Sequence, residues 1–365
     1  MAKNQYLPDE VSPPGETLLE VLEERGISQA DLAERTGRPR KTINEIVKGK
    51  TSITPETALQ LERVLGVPAH FWNSRESAYR EFIARRDERF RLEAQLTWVD
   101  HFPVREMIRR GFIPDRRPSK LGLLEALLDF FGIASPDQWQ AVWQGAAFRK
   151  SRRSNEYALS AWLRVGQMLG ERAACSAYDA QEFRGVLGRI RNLTLLPPHR
   201  FQPLLDEVCG KCGVVIALVP ELPASGASGA TFWTSHHRPV LMLSLRYKTD
   251  DHLWFTFFHE VAHILLHGKR DVFIEGLDDD GQREEEANRF AAELLIPAER
   301  LRLFLSRNRR ISMDGVSRFA AELGIAPGIV VGRLQHDGHL PQTHCNGLKR
   351  RLEWAASIRR QVPYP

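Results

Sequence analysis

The sequence predicts a multidomain protein: an all-α N-terminal module of helix-turn-helix plan, a helical middle region and an α+β C-terminal domain. Three observations predict it. Residues 15–73 read as short helices joined by glycine-containing turns. Short β-branched runs begin abruptly near Gly213. After those runs comes an apolar segment, LWFTFFHEVAHILLHG, that carries two histidines and a glutamate at helical spacing.

Totals bound the reading. A chain of 365 residues suits two or three domains. Its 42% hydrophobic and 27% charged content is that of a soluble globular protein. No run of about 18 apolar residues lacks charge, so no membrane span is expected. The N-terminus, MAKNQYLPDEVSPPGE, is polar and lacks the apolar core of a signal peptide. The expected location is therefore the cytoplasm. With 51 basic against 46 acidic residues, the net charge of +5 permits nucleic-acid binding without requiring it. Four cysteines do not make a disulfide framework, and Cys209 and Cys212, a CxxC with no second pair, read as reduced structural thiols.

Residues 1–14 read as a tail. In 15–73, Ser28 caps a helix with Asp31 three residues on, an acidic variant of the capping box. Gly37 ends that helix, and the next starts near Pro39 with Ile43, Ile46 and Val47 as its apolar stripe. Gly49 closes it. Thr54-Pro55 starts another helix, with Ala58, Leu61 and Leu65 facing inward. Two short helices about a tight turn are the helix-turn-helix plan. The second presents Arg40, Lys41, Thr42, Asn44 and Lys48 away from its stripe, and Gln29 opens the first. Long donors and an amide suit base edges in a major groove, and lysines suit phosphates.

Residues 74–97 read as a charged connecting helix with solvated ion pairs. Residues 98–210 keep a helical period, broken at GFIPDRRPS, GIASPD and LPPHR. Trp139, Trp143 and Trp162 are expected in its core. In residues 211–345, VVIALVP, ATFWT and RPVLMLSLR read as strands, followed by the helix with His259 and by further helices to about 336. Residues 346–365 are basic and helical in pattern.

The N-terminal stretch from PGETLLEVLEERG to ITPETALQLERVLGVPAHFW resembles the Cro/cI-type, lambda-repressor-like helix-turn-helix, and more narrowly the HigA-type antitoxins of toxin–antitoxin modules. That resemblance implies a homodimer on a palindromic operator, with recognition helices about 34 Å apart. It also raises a toxin as a partner.

His259 and His263, four residues apart, share one face of a helix, and two imidazoles so placed can bind one Zn²⁺. Glu260 is placed to act as general base on a water at that metal. Burying three such residues without partners would be costly, which argues against an ordinary core helix. A third ligand is needed. In REEEANRFAAELLIP, Glu284 is the choice and Glu286 its close rival, while acidic residues also suit a helix N-terminus. Asn288, on the face of Glu284, can orient a ligand. His267 lies one turn too far along to share the ion and is expected on the surface or behind the ligands.

RPVLMLSLRYKTDDHLWFTFFHEVAHILLHG with EEEANRFAAELLIP resembles the ImmA/IrrE family of metallopeptidase-like proteins, and ELGIAPGIVVGRLQHDGHL resembles their C-terminal part. The resemblance implies a zincin-like fold of gluzincin type, with His259, His263 and Glu284 on zinc and Glu260 as base. Such relatives cleave DNA-bound repressors or switch them off. If the domain cuts, an edge near ATFWT or RPVLMLSLR would hold the peptide as an added strand. His236, His237, Tyr178 and Tyr247 are candidates to stabilise an oxyanion.

Three readings follow. One is a transcriptional regulator whose zinc-binding domain senses or cleaves a partner. Another is a site-specific zinc endopeptidase acting on DNA-bound repressors. The third is an antitoxin that neutralises a toxin by contact. The first is favoured, because DNA binding needs no assumption about catalysis.

Overall fold

The computed structural model describes residues 11–116, 119–143, 155–235, 238–267, 273–274, 281–308 and 310–354. They fall into two compact units, Met1–Gln95 and Leu96–Pro365.

The first unit holds α1 (Pro14–Glu24), α2 (Gln29–Thr36), α3 (Arg40–Val47), α4 (Pro55–Leu65) and α5 (Ala69–Glu93). Ser28 Oγ accepts from Asp31 N–H and Asp31 accepts from Ser28 N–H, the reciprocal cap that the spacing predicts. Gly37 and Gly66 end α2 and α4 with φ of 69° and 63°, a left-handed turn that costs glycine little. Leu18, Leu22, Leu32, Ile43, Ile46, Leu61 and Trp72 form one core. Val47 is only partly buried against it. Gly15 lets α1 lie on the end of α3: a Cβ there would stand 2.3 Å from the carbonyl oxygens of Ile46 and Val47.

The sequence boundary between residues 73 and 74 falls inside α5, a single 25-residue helix. Its opening turns belong to the core. Glu76 is buried, accepts Ile53 N–H at 3.1 Å and pairs with Arg80 at 2.7 Å. Its later turns carry exposed i,i+4 pairs, Arg85–Glu81 and Arg89–Glu93, each worth a few tenths of a kcal/mol.

The second unit begins with α6 (Val104–Arg110), α7 (Lys120–Phe131), α8 (Pro136–Trp143), α9 (Glu156–Arg172), α10 (Ala180–Asn192) and α11 (Pro198–Lys211). Then come β1 (Val215–Leu218), β2 (Gly229–Ser235), β3 (Arg238–Leu243), α12 (Asp250–Leu266), β4 (Phe273–Ile274), α13 (Gly281–Leu295), α14 (Ala298–Arg307), α15 (Met313–Leu323) and α16 (Pro327–His336). Strand order is β1-β3-β2-β4; β1 runs parallel to β3, and the other pairings are antiparallel.

Two sequence expectations need correction. RPVLMLSLR is not an edge: β3 is flanked by β1 and β2, so its backbone groups are already paired. On β2, Ala230 and Thr231 pair with Ile274 and Phe273. The basic C-terminal stretch is not α-helical over its described residues. After a 3₁₀ turn at Asn346–Leu348 it runs extended against the start of α12. Asp250 N–H donates to Arg350 O at 3.0 Å, Arg350 N–H to Asp250 Oδ1 at 2.9 Å, and Leu352 N–H to Lys248 O at 2.9 Å. Lys349 pairs with Asp251 at 2.7 Å. These partners are about a hundred residues away in sequence, so a local pattern cannot reveal them. Residues 355–365 lie outside the described residues.

The helical middle region is continuous with the sheet. Gly166 and Gly170 seat α9 on β3, where a Cβ would stand 2.0 Å from Met242 Sδ and 2.5 Å from Val240 Cγ2. Leu241 and Leu243 point the other way, into the core shared with Phe257, Phe258 and Val261 of α12. Strand alternation thus places α9 and α12 on opposite faces. Trp162 is buried and donates to Val219 O at 3.0 Å; Trp139 is buried, and Trp143 partly so. Among the described residues no single helix is long and apolar enough to cross a membrane.

Candidate metal centre and nucleic-acid face

α3 turns Ile43 and Ile46 into the core and leaves Arg40, Lys41 and Asn44 exposed. Thr42 is half-buried, and Lys48 is exposed one residue beyond the helix, at its C-cap. Gln29 opens α2, half-exposed. Arg40 and Lys41 have acidic neighbours, Glu34 and Glu45, each only at 3.9 Å. Such exposed pairs are weak, so both cations can turn to a phosphate.

The second site lies between α12 and α13. Apolar residues pack most of α12 into the core, and His259, Glu260 and His263 are buried with them, at 1%, 0% and 1% exposure. The first turn of α13 brings Glu284 across. Glu284 Oε2 lies 3.3 Å from His259 Nε2, and its Oε1 3.2 Å from His263 Nε2. The two Nε2 atoms are 3.0 Å apart. These three side chains each offer one ligand atom, all within 4.8 Å of one another.

The donor set fits a divalent cation. Asn288 Oδ1 lies 3.0 Å from His259 Nδ1 and accepts its proton, which leaves a lone pair on Nε2. Two imidazole lone pairs and a carboxylate then converge, as at a zinc site with an open position. Without a cation the same atoms need protons between them. Burial alone would raise the Glu284 carboxyl, but hydrogen bonds from His259 and His263 hold it at about 2. Burial depresses the His263 pKa, offset in part by Glu284, and so favours the neutral ring that a metal takes.

Glu286, the rival for third ligand, faces elsewhere: its Oε2 is 3.3 Å from His267 Nε2. His267 in turn lies behind His263, Nδ1 to Nδ1 at 2.9 Å. Phe273 stacks on the His263 ring, with centroids 4.4 Å apart. Glu260 sits under β2. Thr231 Oγ1 donates to its carbonyl at 3.3 Å, and a Cβ at Gly229 would stand 2.7 Å from Oε1. Sequence reasoning missed Gly229 and Phe273. The glycines of ASGASG were a signal for the first; the second, in a two-residue strand, offers none.

Of the oxyanion candidates, Tyr247 stacks on His252, about two turns before His259. Tyr178 packs on Phe183 and Trp233, and burial pushes its hydroxyl up to about 12. His236 and His237 lie outside the described residues. Cys209 and Cys212 are buried free thiols.

Fold and site define a class: a helix-turn-helix DNA-binding unit joined to a metallopeptidase-like domain. The helix-turn-helix family model matches residues 18–72, and that of the IrrE N-terminal-like domain, a peptidase family, matches residues 212–335. The chain belongs to the first family through its N-terminal unit, and the second is fused to it as an ImmA/IrrE-type domain. Virulence-associated protein I of Dichelobacter nodosus is 38% identical over 76 residues, which cover 20% of this chain and 70% of that protein. Among solved structures, an addiction module antidote protein of the HigA family from Coxiella burnetii is 29% identical. The match covers 23% of this chain and 94% of that one, with a TM-score of 0.22. The Pseudomonas aeruginosa antitoxin HigA with higBA promoter is 31% identical, with the same coverage and TM-score.

Proposed function

We propose that this protein is a DNA-binding transcriptional regulator whose C-terminal domain holds a zinc ion and senses or cleaves a protein partner. The observation that carries the reading is the convergence of His259, His263 and Glu284 beside Glu260 in a chain that also bears a helix-turn-helix unit. On the DNA side, α3 enters the major groove. Asn44 and Thr42 face base edges, while Arg40, Lys41, Lys48 and Gln29 hold the backbone. A homodimer would set two such helices about 34 Å apart on a palindromic operator.

On the protein side, His259, His263 and Glu284 hold the ion, and Asn288 orients His259 through its Nδ1–H. A zinc ion held there would activate a water and polarise a carbonyl. The Glu260 carboxylate accepts a proton from the attacking water and passes it to the leaving amine nitrogen. Phe273 and the apolar face of α12 exclude bulk water from these groups.

Glu260 also favours a second reading, a site-specific endopeptidase acting on DNA-bound repressors. Metal sensing alone needs no proton acceptor beside the ligands. Neutralising a toxin by contact would employ the N-terminal unit and leave residues 96–365 without a role.

The test is metal content of the purified protein beside His263→Ala and Glu260→Gln, with binding to DNA sites selected from a random pool. The expected result is about one zinc per chain, kept in Glu260→Gln and lost in His263→Ala, with DNA binding by the wild type. A metal-free wild type that still binds DNA sinks the zinc reading and leaves a regulator that has kept only the fold.

A further inference from the structure

We infer that His267 and Glu286 are positioning residues that fix the ring proton of His263 on Nδ1 and so direct its Nε2 lone pair into the metal centre. This rests on the reading of His259, His263 and Glu284 as metal ligands.

The argument is one of proton accounting. His263 Nδ1 and His267 Nδ1 face each other at 2.9 Å, so one proton lies between them. If it belonged to His267, a neutral His263 would carry its own proton on Nε2. That N–H would point at His259 Nε2, 3.0 Å away, and at Glu284, and would block the lone pair a cation needs. If it belongs to His263, Nε2 is bare and faces the other two ligand atoms. Glu286 decides between these cases. Its Oε2, 3.3 Å from His267 Nε2, accepts a hydrogen bond there. With its Nε2–H donating to Glu286, His267 turns its other ring nitrogen, Nδ1, to accept the Nδ1–H of a His263 whose Nε2 is taken by the ion.

Among the described residues, Glu286 is the acceptor at His267 Nε2. The His267 side chain is 4% exposed, and Phe273 lies against both rings, with centroids 4.4 Å from His263 and 5.4 Å from His267. Water is therefore poorly placed to take over the bond. The arrangement parallels Asn288 on His259, but with a carboxylate at its outer end. Such partners orient a ligand and raise its basicity. It also accounts for the third histidine of HEVAHILLHG: both its ring nitrogens are engaged away from the ligand atoms.

The experiment uses the full chain. Zinc affinity is measured by competition with a chromophoric chelator for wild type, His267→Phe, Glu286→Ala and Glu286→Gln, beside melting of each metal-free protein. Nitrogen-15 NMR of the zinc-loaded wild type reads the histidine ring protons. His267→Phe should bind zinc about 10- to 100-fold more weakly. Glu286→Ala should weaken it in the same direction, and Glu286→Gln should stay near wild type, because the amide oxygen accepts the same N–H. NMR should place protons on Nδ1 of His263 and Nε2 of His267. A proton on His267 Nδ1 in place of His263 Nδ1 would overturn the inference. So would wild-type affinity in both His267→Phe and Glu286→Ala, or a loss in Glu286→Gln as large as in Glu286→Ala. If His267→Phe does not fold, Glu286 decides, since its side chain is 43% exposed. A wild type that takes up no zinc defeats the ligand reading itself, a separate result.

Discussion

Gly229 stands where β2 passes over Glu260, and nothing larger fits. A Cβ there would lie 2.5 Å from Thr256 Cγ2 and 2.7 Å from Glu260 Oε1. Gly229→Ala should therefore cost about 1–3 kcal/mol, the usual range for overpacking. Melting of the metal-free protein checks this, and an unchanged transition would mean that Glu260 has room to move. The pair His259–His263 was legible because helical spacing alone puts both rings on one face. Glu260 was legible as their neighbour. Glu284 was the sequence choice, on the face of Asn288, with Glu286 its close rival. Both open α13, and only the packing of that helix on α12 turns one toward His259 and His263 and the other toward His267.

At the scale of elements, close approaches and ties hold each unit together. In the first, Gly15 brings α1 onto backbone carbonyls of α3, which cannot yield as a flexible side chain would. Gly15→Ala should destabilise the helix-turn-helix unit by about 1–3 kcal/mol. Weakened DNA binding and a lower melting transition are expected together. In the second, the C-terminal tie lands on Asp250. Burial pushes this carboxyl from 3.8 up to about 6, against the hydrogen bond from Arg350 N–H. A folded pKa above the unfolded one means that its stabilising contribution is complete below about pH 4 and lost as pH rises through about 6. Asp250→Asn keeps an acceptor and removes the charge. Its melting temperature should exceed that of wild type near pH 7.5, with the gap closing near pH 4. A gap that does not change with pH would show that Asp250 is not the group that titrates. Three strand-like runs were legible as strands from their β-branched composition. The order in which they pair was not, because the β1–β3 neighbour relation comes from long-range contact.

At the scale of the molecule, the chain divides into two compact units, and the two proposed activities divide with them. On the zinc reading proposed above, chelation should lower the melting of residues 96–365 and leave that of residues 1–95 in place. Binding at about 100 times Kd stabilises by about 2.7 kcal/mol, so the shift is measurable by calorimetry. Lys48→Ala should weaken DNA binding across sequences and reduce the salt slope by about 0.9, the signature of one lost phosphate contact. Asn44→Ala should instead relax preference at one base pair, by about 1–3 kcal/mol. Equal losses on all sequences would remove Asn44 from base readout.

By itself the sequence determined the helix-turn-helix unit, whose caps, stripes and glycine ends are all local. It also determined the helix of His259 and His263, whose spacing is a property of the helix. Only the tertiary structure decided which acid meets the histidines, what stands behind each ring, where room is left for Glu260, and that the basic C-terminus ties down α12. Apart from His267, four positions from His263, and Phe273, ten positions from it, those contacts join residues about 20 to 100 positions apart. Their geometry depends on how helices and strands pack, and a local pattern of residues carries no record of that packing.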